Sequence, residues 1–365
     1  MNNSDIISHL ETIAPPAYQE SYDNAGLLTG TPNRECTGAL ITLDATEEIV
    51  HEAIEKNCNL IVAHHPIIFG GLKKITGRNY VEKTIIAAIK NDIAIYAIHT
   101  NLDNVIAGVN AKMADKLGLI NRSILLPKEA TLKKLFTFAP HADAEKVRSA
   151  IFSAGAGVIG NYYHVSFRTE GTGSFVPGEG TNPFVGDVGK TNDEKELKIE
   201  TIFPAYLQQQ VVDALIGAHP YEEVAYDVIE LANANERIGS GMVGELPEPM
   251  SEKLFLAKIK ASFGLKVIRH TPLLGKPVKK VALCGGAGSF LISRALSFGA
   301  DFYISSDIKY HEFFDANSSI VVADIGHFES EQYTIELLHE ILVKKFPTFA
   351  VLKTALNTNP VHYYL

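Results

Sequence analysis

Short apolar runs, each followed at once by polar side chains, are the main pattern of this chain. Residues 60–62 (LIV) are continuously apolar and lead into His64, His65 and Pro66. A run of this length without a polar side predicts a strand that is buried on both faces. Pro66 predicts the end of the strand, because proline has no backbone N–H. The two histidines are therefore expected on a turn at the carboxyl end of the strand, where open α/β sheets bind ligands.

Two further apolar runs have the same arrangement. Residues 93–98 (IAIYAI) lead into His99 and Asp103, and residues 319–323 (SIVVA) lead into His327 and Glu331. His327 and Glu331 are four residues apart at the start of a predicted helix, so they lie on one face of it. If the three strands are parallel neighbours, their imidazoles and carboxylates converge.

The order of the predicted elements divides the chain into three parts. Strands alternate with helices at both ends of the chain, which predicts an α/β domain with a mostly parallel sheet. Residues 132–231 instead read β-α-β-β-α-β, the ferredoxin-like order. We therefore predict that residues 1–130 and 236–365 form the two halves of one α/β domain, and that residues 131–235 form an inserted ferredoxin-like α+β domain. The glycine-rich residues 171–189 within the insert are expected to be a mobile loop, for which a spacer is favoured over a functional loop.

Composition and charge narrow the class of protein. The 365 residues are 46% hydrophobic and 21% charged, values typical of globular domains. A net charge of −9 disfavours general affinity for nucleic acid or anionic membranes. There are three cysteines, without C-x-x-C spacing, and no apolar run reaches the ~18 residues of a membrane span. These features predict a soluble cytoplasmic protein.

A glycine run after a predicted strand has two interpretations. Residues 285–289 (GGAGS) precede a predicted helix, the arrangement that binds phosphate at a helix N-terminus. Leu291 departs from the dinucleotide fingerprint, and a P-loop would need Gly-Lys-Ser/Thr. A tight turn is therefore favoured, with nucleotide phosphate second. A basic loop with Lys73, Lys74 and Arg78 is another candidate for phosphate contact.

The residues after the three strands have the chemistry of a metal site. Neutral imidazoles together with carboxylates suit zinc, iron, manganese or cobalt, whereas calcium prefers oxygen ligands alone. Any one of these residues has an ordinary structural explanation, but three such strand ends in one domain favour metal. The second-rank candidates, with proton-transfer or capping roles, are His99, Asp307, His311 and Asp324.

Four motifs give the chain a family resemblance. YDNAGLL, VAHHPIIF, HTNLDN and DIGHFESE together resemble the NIF-three-like family, also labelled GTP cyclohydrolase 1 type 2 homologues or dinuclear metal centre proteins. The resemblance covers residues 5–365, with Tyr22 where members commonly have tryptophan. It implies two divalent ions per protomer (zinc, iron or manganese, with zinc the first choice), a toroidal homohexamer of two stacked trimers, and an insert similar to PII and CutA domains. The ligands that it implies are His64, His65, Asp103, His327 and Glu331.

Two functions follow from these observations. The cyclohydrolase label implies a metal-dependent hydrolase that acts on a nucleotide or related heterocycle, with His99 as a catalytic proton shuttle. The alternative is a non-catalytic metal carrier, insertion factor or sensor that is gated by its PII-like insert. A small-molecule ligand, and not a membrane or nucleic acid, is the expected partner besides other copies of the chain.

Overall fold

Two compact units make up the chain in the computed structural model, which describes residues 1–364. The first unit joins Met1–Pro127 to the chain from Glu236 onward, and the second unit is Lys128–Asn235. The chain therefore leaves the first unit once and returns to it once. Among the described residues, no helix combines the length and the apolar character that a membrane span requires.

Strands and helices alternate along much of the chain. The strands are β1 (Gly26–Thr29), β2 (Ala39–Thr42), β3 (Leu60–Ala63), β4 (Ala94–Ala97), β5 (Ile120–Pro127), β6 (Leu132–Pro140), β7 (Phe167–Phe175), β8 (Asn192–Pro204), β9 (Tyr226–Glu230), β10 (Gly239–Ser251), β11 (Arg269–His270), β12 (Pro277–Ala287), β13 (Phe302–Ser306), β14 (Val321–Asp324) and β15 (Val351–Lys353). The α-helices are α1 (Asn3–Ile13), α2 (Glu47–Glu55), α3 (Tyr80–Lys90), α4 (Thr100–Asp103), α5 (Val109–Leu117), α6 (Ala144–Ser153), α7 (Gln208–Ala218), α8 (Glu252–Phe263), α9 (Ile292–Ser297), α10 (His327–Glu331) and α11 (Thr334–Lys345). Short 3-10 helices cover Pro16–Tyr18, Ala205–Leu207, Ser289–Leu291 and Tyr310–Ala316.

The first sheet of the first unit has the order β1-β4-β3-β2-β15. Its three pairings among β4, β3, β2 and β15 are parallel, and β1 is antiparallel to β4. Every residue of β2, β3 and β4 is buried, because side chains from both faces enter apolar clusters. The buried strand predicted at residues 60–62 is confirmed as β3.

The second sheet of the first unit has the order β11-β14-β13-β12-β10-β5. Two of its pairings, β12 with β13 and β13 with β14, are parallel, and the other three are antiparallel. The unit is therefore a mixed α/β fold. The condition that all three site-bearing strands are parallel neighbours is not met, because β14 belongs to this second sheet while β3 and β4 belong to the first.

The C-terminal segment is attached to helix α2 through one carboxylate. The side chain of Glu52 accepts hydrogen bonds from the backbone N–H of Ala355 (2.7 Å), the ammonium of Lys56 (2.7 Å) and the hydroxyl of Thr354. Glu52 is buried, and burial raises its pKa, but these donors outweigh burial and leave the pKa lowered. This contact fixes the chain after β15 to α2.

The second unit is a four-stranded sheet with the order β7-β8-β6-β9, and its three pairings are antiparallel. Side chains of α6 and α7 share one core with those of β6 and β8. The element order is the predicted β-α-β-β-α-β, but β7 extends into the glycine-rich residues 171–189, so the connecting loop is 176–191. β7 is an edge strand with mostly exposed side chains, and therefore lacks the apolar periodicity that marks a buried strand.

Candidate metal centre

Side chains from both sheets of the first unit meet around His64. This histidine follows β3 and is fully buried, and its Nε2 lies 3.7 Å from Asp103 Oδ1, at the end of α4. The same nitrogen lies 3.8 Å from Oε1 of Glu331, the last residue of α10. The short helices that follow β4 and β14 thus bring their carboxylates to one imidazole.

A second group of atoms surrounds the other carboxylate oxygen of Glu331. Its Oε2 lies 2.9 Å from His65 Nε2 and 3.1 Å from His327 Nε2. The two imidazole nitrogens are 3.3 Å apart. Glu331 therefore faces His64 with one oxygen and the histidine pair with the other, so that one carboxylate belongs to two clusters.

Each of the three imidazoles is oriented through its other nitrogen. His64 Nδ1 donates to the carbonyl of Ile98 (2.8 Å), and His65 Nδ1 donates to Asp44 Oδ1 (2.7 Å). His327 Nδ1 donates to Asp307. In the neutral form of the imidazoles, a proton on each Nδ1 would leave the lone pair of each Nε2 inside the cluster, which is the arrangement of metal-ligating histidines.

The cluster leaves buried polar atoms without partners. Among residues 1–364, His64 Nε2 and Asp103 Oδ1 are buried and have no hydrogen-bond partner, although buried polar side chains are normally hydrogen-bonded. The side chains supply two sets of three ligand atoms, and within each set the atoms lie within 4.8 Å of one another. One set comes from His65, His327 and Glu331, and the other comes from His64, Asp103 and Glu331. The donor set therefore fits divalent cations that accept nitrogen and oxygen ligands.

The charges of the cluster are strongly coupled. Burial, with the neighbouring Glu331, raises the pKa of Asp103 well above its usual value. Burial also opposes ionisation of Glu331, but its hydrogen bonds to the imidazoles outweigh burial and hold its pKa well below the usual range. Burial lowers the pKa of His65 and His327, yet their carboxylate partners raise the two values to about 9 and about 11. Without a cation the cluster therefore retains protons at neutral pH.

His99 lies at the edge of this cluster. One ring nitrogen of His99 is within 4.8 Å of those of His64 and His65. Its Nδ1 donates to Asp23 Oδ1 (2.8 Å), and the other oxygen of Asp23 accepts from the N–H and hydroxyl of Thr100. Burial raises the pKa of Asp23, but these hydrogen bonds outweigh burial and lower it to about 2. An ionised carboxylate, held in place by Thr100, thus orients the His99 imidazole at the edge of the cluster.

The glycine run after the predicted strand makes room for Glu331. β12 continues to Ala287, and Gly286 within it has φ +65°. A Cβ at Gly286 would collide with the Glu331 carboxylate. The backbone N–H of Gly286 donates to the hydroxyl of Ser330 (3.0 Å), beside Glu331. The glycine therefore allows close approach of a backbone to the cluster.

The structure separates the second-rank candidates. Asp307 joins the cluster as the partner of His327, whereas Asp324 accepts from the backbone N–H groups of Ile308 and Gly326 and so acts as a structural cap. His311 stacks with Phe314 on an exposed 3-10 helix.

Two carboxylates of the site were missed by sequence reasoning. Asp44 comes directly after the apolar β2 and its following leucine, so a fourth strand end carried the same signal. Asp23 lies in the motif YDNAGLL, far from the strand ends in sequence, and only its distance from His99 reveals its role.

A cavity of about 500 Å³ opens beside the cluster. Its wall includes His65 and His327 on one side and Asn359, Pro360 and Tyr363 of the C-terminal segment on the other. The hydroxyl of Thr358 donates to Asp44 Oδ2 (2.6 Å), so the C-terminal segment also contacts the carboxylate that orients His65. The cavity has the size of small-molecule sites.

The fold and the site together define a mixed α/β protein with a histidine and carboxylate cluster that could hold a metal ion. Residues 1–360 match the family model described as Duf34/NIF3 (NGG1p interacting factor 3), and the chain belongs to this family. The resemblance inferred from the four motifs is therefore confirmed.

Known relatives match the chain over nearly its whole length. A Halalkalibacterium halodurans protein named GTP cyclohydrolase 1 type 2 homolog is 40% identical over 364 residues, covering 98% of each sequence. The crystal structure of a Bacillus cereus protein related to NIF3 is 41% identical, with a TM-score of 0.86 over 100% of this chain and 99% of that one. Staphylococcus aureus protein SA1388 is 29% identical, with a TM-score of 0.79 over the same shares.

Proposed function

We propose that this chain is a dinuclear metal-dependent hydrolase that acts on a nucleotide or a related heterocycle. The observation that carries the proposal is the position of Glu331, one carboxylate with its two oxygens in two separate groups of ligand atoms. A carboxylate that lies between two cation sites could serve both of them, so a dinuclear centre would need fewer ligands in total. The name GTP cyclohydrolase 1 type 2 homolog, carried by the relatives, supports a nucleotide as substrate.

The ligands divide into two sets. His65 and His327 with Glu331 Oε2 would hold one ion, and His64 and Asp103 with Glu331 Oε1 would hold the other. When bound, two divalent ions would activate water and stabilise negative charge on a reacting oxygen. Zinc is the first choice, and iron and manganese also suit this donor set.

His99 has the geometry of a proton acceptor. Its Nδ1–H is held by Asp23, so its Nε2 would accept a proton from an attacking water or return one to a leaving group. Because the pKa of Asp23 is lowered to about 2, this carboxylate stays ionised and stabilises the imidazolium that proton transfer would create. His99 is therefore proposed as the catalytic residue, and Asp23 as its positioning residue.

The cavity beside the cluster would hold the substrate. Apart from the histidines of the cluster, the cationic residue of its lining in the described chain is Arg269, which already pairs with Asp324 (3.2 Å) and donates to the carbonyl of Ile308. Anionic groups of a substrate would therefore be attracted mainly by the bound ions.

We further infer, from the family resemblance, a toroidal homohexamer of two stacked trimers and an insert of the ferredoxin-like, PII/CutA type. The antiparallel sheet with the order β7-β8-β6-β9 supports the second inference. Light scattering of the purified protein tests the hexamer.

Metal analysis comes first in testing this proposal. Elemental mass spectrometry on natively purified protein should find about two ions per protomer, and far less in His64→Ala and His327→Ala. His311→Ala is the matched control, because this exposed histidine lies outside the cluster. Equal metal content in all four proteins would refute the assignment of the ligands.

Activity is tested next, on the metal-loaded protein with a panel of nucleotides. His99→Gln should retain the metal and lose turnover by about 10²- to 10⁴-fold. If metal is bound but no member of the panel is turned over, the alternative gains support: a metal carrier, insertion factor or sensor gated by its insert. The separate compact unit formed by Lys128–Asn235 favours that alternative.

A further inference from the structure

The second unit contains a cavity of its own, of about 590 Å³, with no residue in common with the metal cluster. The cavity lies on the face of the sheet that α6 and α7 leave open. Side chains of β8 alternate between the two faces: Ile199 and Phe203 enter the core with the helices, whereas Glu196 and Lys198 point to the other face and line the cavity. Loop 176–191, with Phe184, forms the opposite wall. The volume is in the range of small-molecule sites.

A carboxylate is buried within this cavity. Glu196 is only 8% exposed, and its Oε1 accepts a hydrogen bond from the hydroxyl of Tyr221 (2.8 Å). Burial and the neighbouring carboxylate raise the pKa of Tyr221, so its hydroxyl remains a donor. A Cβ at Gly173 would collide with Oε2 of Glu196, so the adjacent strand leaves room for the carboxylate by lacking a side chain.

The lysines of the same face do not neutralise Glu196. Lys134 and Lys198 both pair with Glu200, at 2.6 and 2.8 Å. The remaining charged residues of the cavity wall are Glu170, Glu222 and Glu223. The cavity therefore has a negative potential, which disfavours an anionic ligand.

Aromatic rings provide the apolar part of the wall. Phe175 and Phe184 lie beside Tyr221, with ring centroids 6.5 and 6.1 Å from it, and Phe138 lines the floor. Ring faces attract cations, and more strongly where water is excluded. A buried carboxylate within aromatic walls is therefore complementary to a positive charge on an apolar body.

We propose that this cavity binds an organic cation, with an ammonium or guanidinium group at Glu196 and an apolar body against Phe175, Phe184 and Tyr221. The charge of the ligand would be met by the Glu196 carboxylate and by the ring faces. The site is independent of the metal centre, so its ligand would be bound by metal-free protein too.

Three probes of similar size and different charge test the proposal: 2-phenylethylammonium, 2-phenylethanol and phenylacetate. Titration calorimetry on the full chain should give at least about tenfold tighter binding of the ammonium than of the alcohol, and no binding of phenylacetate. Glu196→Gln should remove the preference for the ammonium while leaving the alcohol affinity unchanged. Glu145→Gln, the same charge change at an exposed side chain of α6, is the matched control and should bind as the wild type does.

A second variant keeps the test informative if Glu196→Gln does not fold. Phe184 is 57% exposed, so Phe184→Leu should fold normally and weaken the ammonium about three- to tenfold. Equal binding of ammonium and alcohol, or no ammonium binding, would overturn the proposal. Dissociation of an oligomer by Phe184→Leu, without cation binding by the wild type, would instead identify the cavity as an interface between copies of the chain.

Discussion

The carboxylate of Asp44 orients His65, and the Asp44→Asn substitution isolates that effect from ligation itself. Asparagine has nearly the same shape and can still accept the hydrogen bond from Thr358. It lacks the negative charge, however, and its amide can turn its donor toward His65 Nδ1. The imidazole would then carry its proton on Nε2, where the metal lone pair is needed.

The size of the effect follows from the geometry of this contact. The bond from His65 Nδ1 to Asp44 is 2.7 Å long, but the Asp44 side chain is 32% exposed, so water screens part of its charge. Loss of a partner that orients a metal-binding histidine usually costs 10- to 100-fold in metal affinity. We expect the lower end, about tenfold, which corresponds to about 1.4 kcal/mol.

Zinc affinity would be measured by competition with a chromogenic chelator, with circular dichroism as the check on folding. Asp92→Asn is the matched control, because Asp92 is exposed and lies before β4, at the N-terminal end of the parallel strands, whereas the site lies at their C-terminal ends. Its affinity should equal that of the wild type. An Asp44→Asn variant that folds and binds zinc as tightly as the control would refute the idea that this carboxylate fixes the ligand.

Three further predictions concern protons, a glycine and the C-terminal segment. The raised pKa values of His65 (about 9) and His327 (about 11) keep both side chains protonated in metal-free protein at neutral pH, so zinc binding should release protons and weaken as the pH falls. Calorimetry in buffers of different ionisation enthalpy measures the proton release, and binding without it would contradict the prediction. Gly286→Ala should lose metal affinity as well as about 1–2 kcal/mol of stability, whereas Gly264→Ala, with the same φ of +65° and open space around it, should lose stability alone. Glu52→Gln should lower the free energy of unfolding in urea by about 1–3 kcal/mol at neutral pH. Because the pKa of Glu52 is lowered in the folded state, this difference from the wild type should be present above the unfolded pKa and disappear as the pH falls through the folded pKa; a pH-independent difference would refute this linkage.

Local sequence determined the elements that carry the site. The continuous apolar run before His64 could only be buried on both faces, and the spacing of His327 and Glu331 placed both on one helical turn. Both were predictable because they depend on neighbours within a few residues. The full extent of the edge strand β7 could not be predicted in this way, because its exposed side chains carry no periodic signal.

Tertiary structure alone decided how the site is assembled. β14 lies in a different sheet from β3, so no rule about neighbouring strands within one sheet could bring His327 to His65; the packing of two sheets in one unit does so. The contacts of Asp44 and Asp23 were likewise decided by the tertiary structure, because these residues are 21 and 76 residues from the imidazoles they orient. The sequence by itself thus determined which strands form and which ligand types follow them, since these depend on local burial and spacing. The pairing of atoms across the chain depends on how the sheets pack, and only the folded structure decided it.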